Sequence, residues 1–181
     1  MFINRGISRN KVKDLADRWQ QDAIDMKPDV LSILIGINDI LADIKVKNPN
    51  FEKETEASYR TLLQRTKKEL PNTILVLCEP FILPVGRVNE DIDAWQSKVK
   101  TVQTIVRKLS KEFNTSLIEL QTPFNEACKK APANYWIWDG IHPMPAGHEL
   151  MAQAWIKKNG RTAVIKIINN TNRETMEVCH L

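Results

Sequence analysis

The chain has 181 residues, enough for one domain that buries roughly 70% of its unfolded surface without staples. Three cysteines, an odd number with no close-pair spacing, point to reduced thiols and away from a disulfide framework or a zinc site. A formal charge of +4, from 26 basic and 22 acidic residues mixed along the chain, argues against nucleic-acid binding, since only Lys129-Lys130 and Lys157-Lys158 are locally basic.

The opening Met1-Phe2-Ile3-Asn4-Arg5-Gly6 does not read as a secretory leader, and no apolar run approaches the roughly 18 residues of a membrane span. The expectation is a cytoplasmic protein. Val12, Leu15, Ala16, Trp19, Ala23 and Met26 recur at helical spacing and predict a helix over residues 11 to 26, stopped by Pro28. Val30 to Ile35 is short, β-rich and almost continuously apolar, as a strand covered on both faces must be, and Gly36 ends it. A helix over 55 to 70 follows, closed by Pro71-Asn72, then a buried strand from Thr73 to Cys78 ended by Pro80.

Trp95, Val99, Val102, Val106, Leu109 and Phe113 form the clearest helical stripe, and Ser116 to Leu120 reads as a further strand. A short helix carries Phe124, Ala127, Cys128 and Ala131. Pro145 suits the first turn of a last helix bearing Leu150, Met151, Ala154 and Trp155, because the missing N–H is an orphan there. Strands alternating with helices predict an α/β fold with a mostly parallel sheet over residues 1 to 158. Residues 159 to 181 fit this scheme poorly and are set apart as a C-terminal extension; Ala163 to Ile168 reads as a strand, and the sequon Asn169-Asn170-Thr171 as chance.

Ligands of open parallel sheets bind beyond the carboxyl ends of the strands. Asn38 and Asp39 stand there. The Asn38 amide can face a developing oxyanion or simply hold a turn, and Asp39 can meet a substrate or cap a helix. Asp139 and His142, three apart in a Gly- and Pro-containing loop, allow a carboxylate to fold back on one ring nitrogen and leave the other as a general base; a capped surface turn is the alternative. Trp136 and Trp138 are candidates to wall an acyl or sugar pocket, with core packing as the competing reading. His148 and His180 read as structural or solvated.

Asn4-Arg5-Gly6-Ile7-Ser8, Gly36-Ile37-Asn38-Asp39 and Asp139-Gly140-Ile141-His142-Pro143, followed by Ala146-Gly147-His148, closely resemble three sequence blocks of the SGNH (GDSL-type) hydrolases over roughly residues 2 to 158. The resemblance implies a flavodoxin-like three-layer sandwich. It also implies an esterase or acylhydrolase working through an acyl-serine, with no metal and no organic cofactor. Gly6 would supply a backbone N–H and Asn38 a side-chain N–H to the oxyanion hole, His142 the base and Asp139 its orienting partner. Removing one such oxyanion donor typically costs about 10² to 10³ in turnover.

The family's first block, a strand followed by Gly-Asp-Ser with the nucleophile, has no counterpart here, and Ser8 is not a convincing substitute. Truncation of a longer gene product is one expectation. In the resemblance the missing strand is central, so its loss should leave buried backbone groups unpaired. The other expectations are that Phe2 to Asn4 or a partner chain closes the sheet, making a homo-oligomer, or that the strand 163–168 inserts and brings Asn170-Thr171 to the Asp-Ser position. Substrates compatible with the resemblance are small-molecule esters, including acylated carbohydrates and lipids. The alternatives to a weakened esterase are a non-catalytic small-molecule or carbohydrate-binding domain and, less well matched for want of a Gly-rich phosphate loop, a nucleotide or signalling domain.

Overall fold

The computed structural model describes residues 2–169 and 176–180, with side chains through residue 160. In chain order the elements are β1 (Phe2–Ile3), α1 (Val12–Trp19), β2 (Val30–Leu34), α2 (Ile37–Val46), α3 (Phe51–Glu69), β3 (Ile74–Cys78), α4 (Ile92–Glu112), β4 (Ser116–Ile118), α5 (Gln121–Ala127), α6 (Ala133–Trp136), α7 (Pro145–Asn169) and β5 (Met176–His180). All strand pairs are parallel, in the order β1-β5-β2-β3-β4.

Alternate residues of β2 and β3 feed two hydrophobic clusters, one on each face of the sheet. Leu31, Ile33, Leu75 and Leu77 pack with α1, α3 and α4; Val30, Leu34, Val76 and Cys78 pack with α5 and α7. This two-sided burial is why both strands read as continuous apolar runs. Polar pins fix the helices: the Trp19 indole donates to Thr66 Oγ1 at 2.9 Å, tying α1 to α3, and the Trp155 indole donates to Ser32 Oγ at 3.3 Å, tying α7 to the centre of the sheet.

Three sequence expectations are corrected. No helix is predicted between Gly36 and residue 55, where residues 40–55 read as loop, yet residues 37–46 form α2, because Ile37, Ile40, Leu41 and Ile44 return to one face and pack on the core. Residues 163–168 are not a strand but the continuation of α7, which crosses residue 158 unbroken; a short β-branched apolar run has no period of its own and follows the helix it extends. Phe2–Ile3 does not take the central place either. That place belongs to β5, whose Glu177, Val178, Cys179 and His180 pair with Leu31, Ser32, Ile33 and Leu34 on one side, while Met176 and Glu177 pair with Phe2 and Ile3 on the other. The chain's own strand therefore fills the slot for which a partner chain was considered, and Asn170-Thr171 lie outside the described residues. Among the described residues no helix is long and apolar enough to cross a membrane.

Candidate active site

Beyond the carboxyl ends of β2 and β3 opens a cleft of about 1180 Å³. Its walls come from the loop after β1, the start of α2, the segment after β3, and the loop before α7. Gly6, Asn38 and His142, far apart in sequence, all line it. The left-handed Gly36 (φ 118°) makes this possible: it stops β2 and turns the chain at once into α2, so Asn38 stands in the first turn of a helix at the cleft floor.

The loop carrying Asp139 and His142 is built for rigidity. Ile137 and Pro143 form a bridge, Trp138 N–H donates to the His142 carbonyl at 3.3 Å, and Met144 N–H donates to the Trp136 carbonyl at 2.8 Å. Leu83 N–H reaches in to the Gly140 carbonyl at 3.0 Å and fixes the loop to the segment after β3. Inside it Asp139 is 3% exposed. Its Oδ1 accepts from Ile141 N–H at 3.1 Å and His142 N–H at 2.9 Å, and its Oδ2 lies 2.9 Å from His142 Nδ1. Burial alone would raise the Asp139 carboxyl; the imidazole and the two backbone donors outweigh it and hold the group below the usual carboxylate range. A carboxylate only accepts, so Nδ1 carries the proton and Nε2 is left as the basic atom of an exposed ring.

Arg87, in the 3-10 turn Gly86–Asp91, also reaches Asp139 Oδ2, at 2.9 Å, and lines the cleft. Nothing in the spacing of residues marks it, because the contact depends on how the loop after β3 folds. Trp138 is 57% exposed and stacks on the His142 ring, centroids 6.0 Å apart and planes 19° from parallel; Trp136 instead packs against the core and donates to the Ala131 carbonyl at 3.2 Å. His148, read as structural or solvated, lines the cleft from the first turn of α7.

The two amide donors already have acceptors. Gly6 N–H meets Asn4 Oδ1 at 2.8 Å, and the Asn38 side chain donates to the Asn10 carbonyl at 3.1 Å, which leaves one of its two N–H bonds uncommitted. Asp39 is not on the cleft wall: both its oxygens lie 3.3 Å from Val12 N–H, at the start of α1. Among the described residues no group of His, Cys, Asp and Glu is arranged to hold a metal ion.

Burial pushes the Asp39 carboxyl up from 3.8 to about 6, against the lowering effect of the Val12 N–H. A carboxyl raised by folding stabilises most when protonated, so its contribution is full below pH 3.8 and is lost as the pH rises through about 6. Asp39→Asn keeps an acceptor for Val12 and removes the charge. Relative to the parent, the variant should therefore gain about 2 to 3 kcal/mol between pH 4 and pH 7 in urea unfolding. A difference that stays flat with pH would show that Asp39 is solvated.

A parallel sheet, a cleft beyond its strand ends and a buried carboxylate holding an imidazole define a hydrolase of the esterase kind; the chain belongs to the GDSL-like lipase/acylhydrolase family, whose sequence model matches residues 1–150. Among its relatives is an acetylxylan esterase from Geobacillus stearothermophilus, 34% identical over 163 residues that make up 87% of this chain and 71% of the relative. The crystal structure of that organism's acetylxylan esterase Axe2 superposes with a TM-score of 0.72 at 31% identity, covering 86% of this chain and 70% of the other. A protein from Parabacteroides merdae ATCC 43184, described as a GDSL-like lipase, superposes with a TM-score of 0.81 at 45% identity, covering 87% of this chain and 72% of that one. Three Axe2 variants are described as catalytic mutants: one changes a serine, one a histidine, and one an aspartate three residues before that histidine. A further variant changes the tryptophan directly before that aspartate.

Proposed function

We propose that this cleft is the site of an esterase acting on acetyl esters of xylose oligosaccharides by a Ser-His-Asp mechanism, in which His142 is the base, Asp139 orients it, and Gly6 N–H and the Asn38 amide receive the oxyanion. The observation that carries this reading is the 2.9 Å contact between Asp139 Oδ2 and His142 Nδ1 in a Trp138-Asp139-x-x-His142 sequence. The same order and spacing of tryptophan, aspartate and histidine recurs in the variants made of Axe2.

In the full reaction His142 Nε2 takes the serine proton as the hydroxyl oxygen attacks the acetyl carbonyl, then returns it to the leaving sugar oxygen; water repeats the cycle on the acyl-serine. Asp139 stays ionised throughout and stabilises the imidazolium. Trp138, stacked on the base, is the aromatic wall for acyl group or sugar. Asp39 is tied to Val12 and acts by fixing α1 to α2 rather than by meeting substrate.

We further propose that β5 stands in for the strand that leads to the serine in this family. Its sequence, Met-Glu-Val-Cys-His, brings no Gly-Asp-Ser. Turnover by this chain is then weak and water-mediated, with His142 drawing the proton from an attacking water, a general-base contribution of about 10² to 10⁴. With p-nitrophenyl acetate we expect slow hydrolysis that falls at least tenfold, to the buffer rate, in His142→Ala; an unchanged rate would refute the esterase reading. A fluorophosphonate should label no serine, and a labelled one would refute the impairment.

A second reading, a carbohydrate-binding domain without turnover, is favoured by the engagement of Gly6 N–H with Asn4 and of the Asn38 amide with Asn10. The His142→Ala comparison separates the two.

A further inference from the structure

The charges lining the cleft are one-sided. Arg9, Lys11, Lys45 and Arg87 face it, and among the described residues that line it none is an aspartate or glutamate. A chain with 26 basic and 22 acidic residues would give a mixed wall by chance. Elsewhere the surface is mixed: Arg60 pairs with Glu56 and Glu112, Arg65 with Glu69, and Lys129 with Glu126.

Two of the four cations are offset. Arg87 is held by Asp139, and Lys11 lies close enough to Asp39 to lower its carboxyl. Arg9 and Lys45 have no hydrogen-bonding or ionic partner among the described residues, and both are exposed. They come from different elements, Arg9 from the loop after β1 in a left-handed conformation (φ 68°), and Lys45 from the last turn of α2. Two exposed cations without partners on one concave wall leave a net positive field there, and a concave site concentrates it.

We infer that the cleft selects acetylated saccharides that carry a carboxylate, such as a uronic acid substituent, over neutral ones. This rests on the esterase or binding cleft proposed above and adds the substrate's charge. Arg9 and Lys45 stand on different elements and each offers a single charge, which suits the single charge of a carboxylate on a saccharide. The volume of about 1180 Å³ admits more than one sugar ring, since pockets for small molecules run to about 1,000 Å³.

The test is an NMR titration of the whole chain with xylotriose and with the same trisaccharide bearing one glucuronic acid. At low salt the acidic sugar should bind about tenfold more tightly, and at about 0.5 M salt the ratio should fall below about threefold as the cations are screened. The double variant Arg9→Gln with Lys45→Gln should abolish the preference, and Arg9→Lys with Lys45→Arg, which keeps both charges, should retain it. Lys129→Gln with Lys130→Gln, both outside the cleft lining, removes the same two charges and controls for net charge, and thermal unfolding controls for folding. Equal binding of the two sugars, binding of neither, or a preference that survives Arg9→Gln with Lys45→Gln overturns the inference. Binding of neither sugar would also remove the xylose-oligosaccharide part of the proposed function, whereas hydrolysis itself stands or falls on His142→Ala with neutral p-nitrophenyl acetate.

Discussion

A chain cut before Met176 is expected to lose cooperative unfolding. β5 is hydrogen-bonded on both edges, at four register positions to β2 and two to β1, and among the described residues β1 has no other strand beside it. Without β5, β1 leaves the sheet, and the edge of β2 that faced it is left bare between helices that cover both faces of the strand. Each buried backbone group that loses its partner costs about 1 to 3 kcal/mol, and a handful of these equals the whole 5 to 15 kcal/mol stability of an ordinary domain. Urea unfolding followed by tryptophan fluorescence should show a broad, shallow transition. Val178→Pro, which removes one ladder N–H at the middle of the strand, should lower stability by about 3 kcal/mol while leaving composition almost unchanged. A truncated chain that melts within about 5 °C of the parent would mean that β5 contributes under about 2 kcal/mol and is not integral to the sheet.

The second large effect is expected at Gly140. Its φ of 96° is a left-handed conformation that an L side chain rarely adopts. A Cβ there would stand 2.4 Å from Val88 Cγ2 and 2.6 Å from the Val85 carbonyl oxygen, and the second of these is backbone that cannot step aside. Gly140→Ala should therefore cost about 3 kcal/mol or more from strain and overlap together. Because Gly140 lies between Asp139 and His142, the damage goes to the site as well: the loop must swing away from Leu83, and the carboxylate loses its grip on the ring. His142-dependent hydrolysis of p-nitrophenyl acetate should disappear along with the stability. Gly160→Ala is the matched comparison. Its added methyl meets only Ile156 Cγ2 at 3.4 Å inside α7, so it should stabilise by about 0.5 to 1 kcal/mol. Equal effects at the two glycines would sink the argument.

What could be read from the residues alone followed from how sharply each pattern discriminates. The stripe from Trp95 to Leu109 and the runs of β2 and β3 are long or dense enough that only one structure buries them, and each forms as expected. The Asp139/His142 spacing was legible because a three-residue loop leaves the carboxylate few places to go. Arg87 was not, since its approach depends on where Gly86 sits against the Asp139 backbone, a contact between two distant loops. The engagement of Asn38 with Asn10 and of Asp39 with Val12 was hidden for the same reason: both partners lie in the segment that enters α1. The segment 163–168 shows the opposite failure, a local preference for strand overruled by the helix already under way.

The position of β5 also has a consequence for how the protein is made. β5, which lies between β1 and β2, follows every other described element in the sequence, so a ribosome delivers β1 to β4 and α1 to α7 before the piece that joins β1 to β2 has left the exit tunnel. Throughout that interval the nascent chain presents an open apolar strand edge, which is the kind of surface that recruits chaperones or pairs with a neighbour. The sheet is thus joined only once β5 has emerged, and yield in the cell depends on how long that edge stays uncovered.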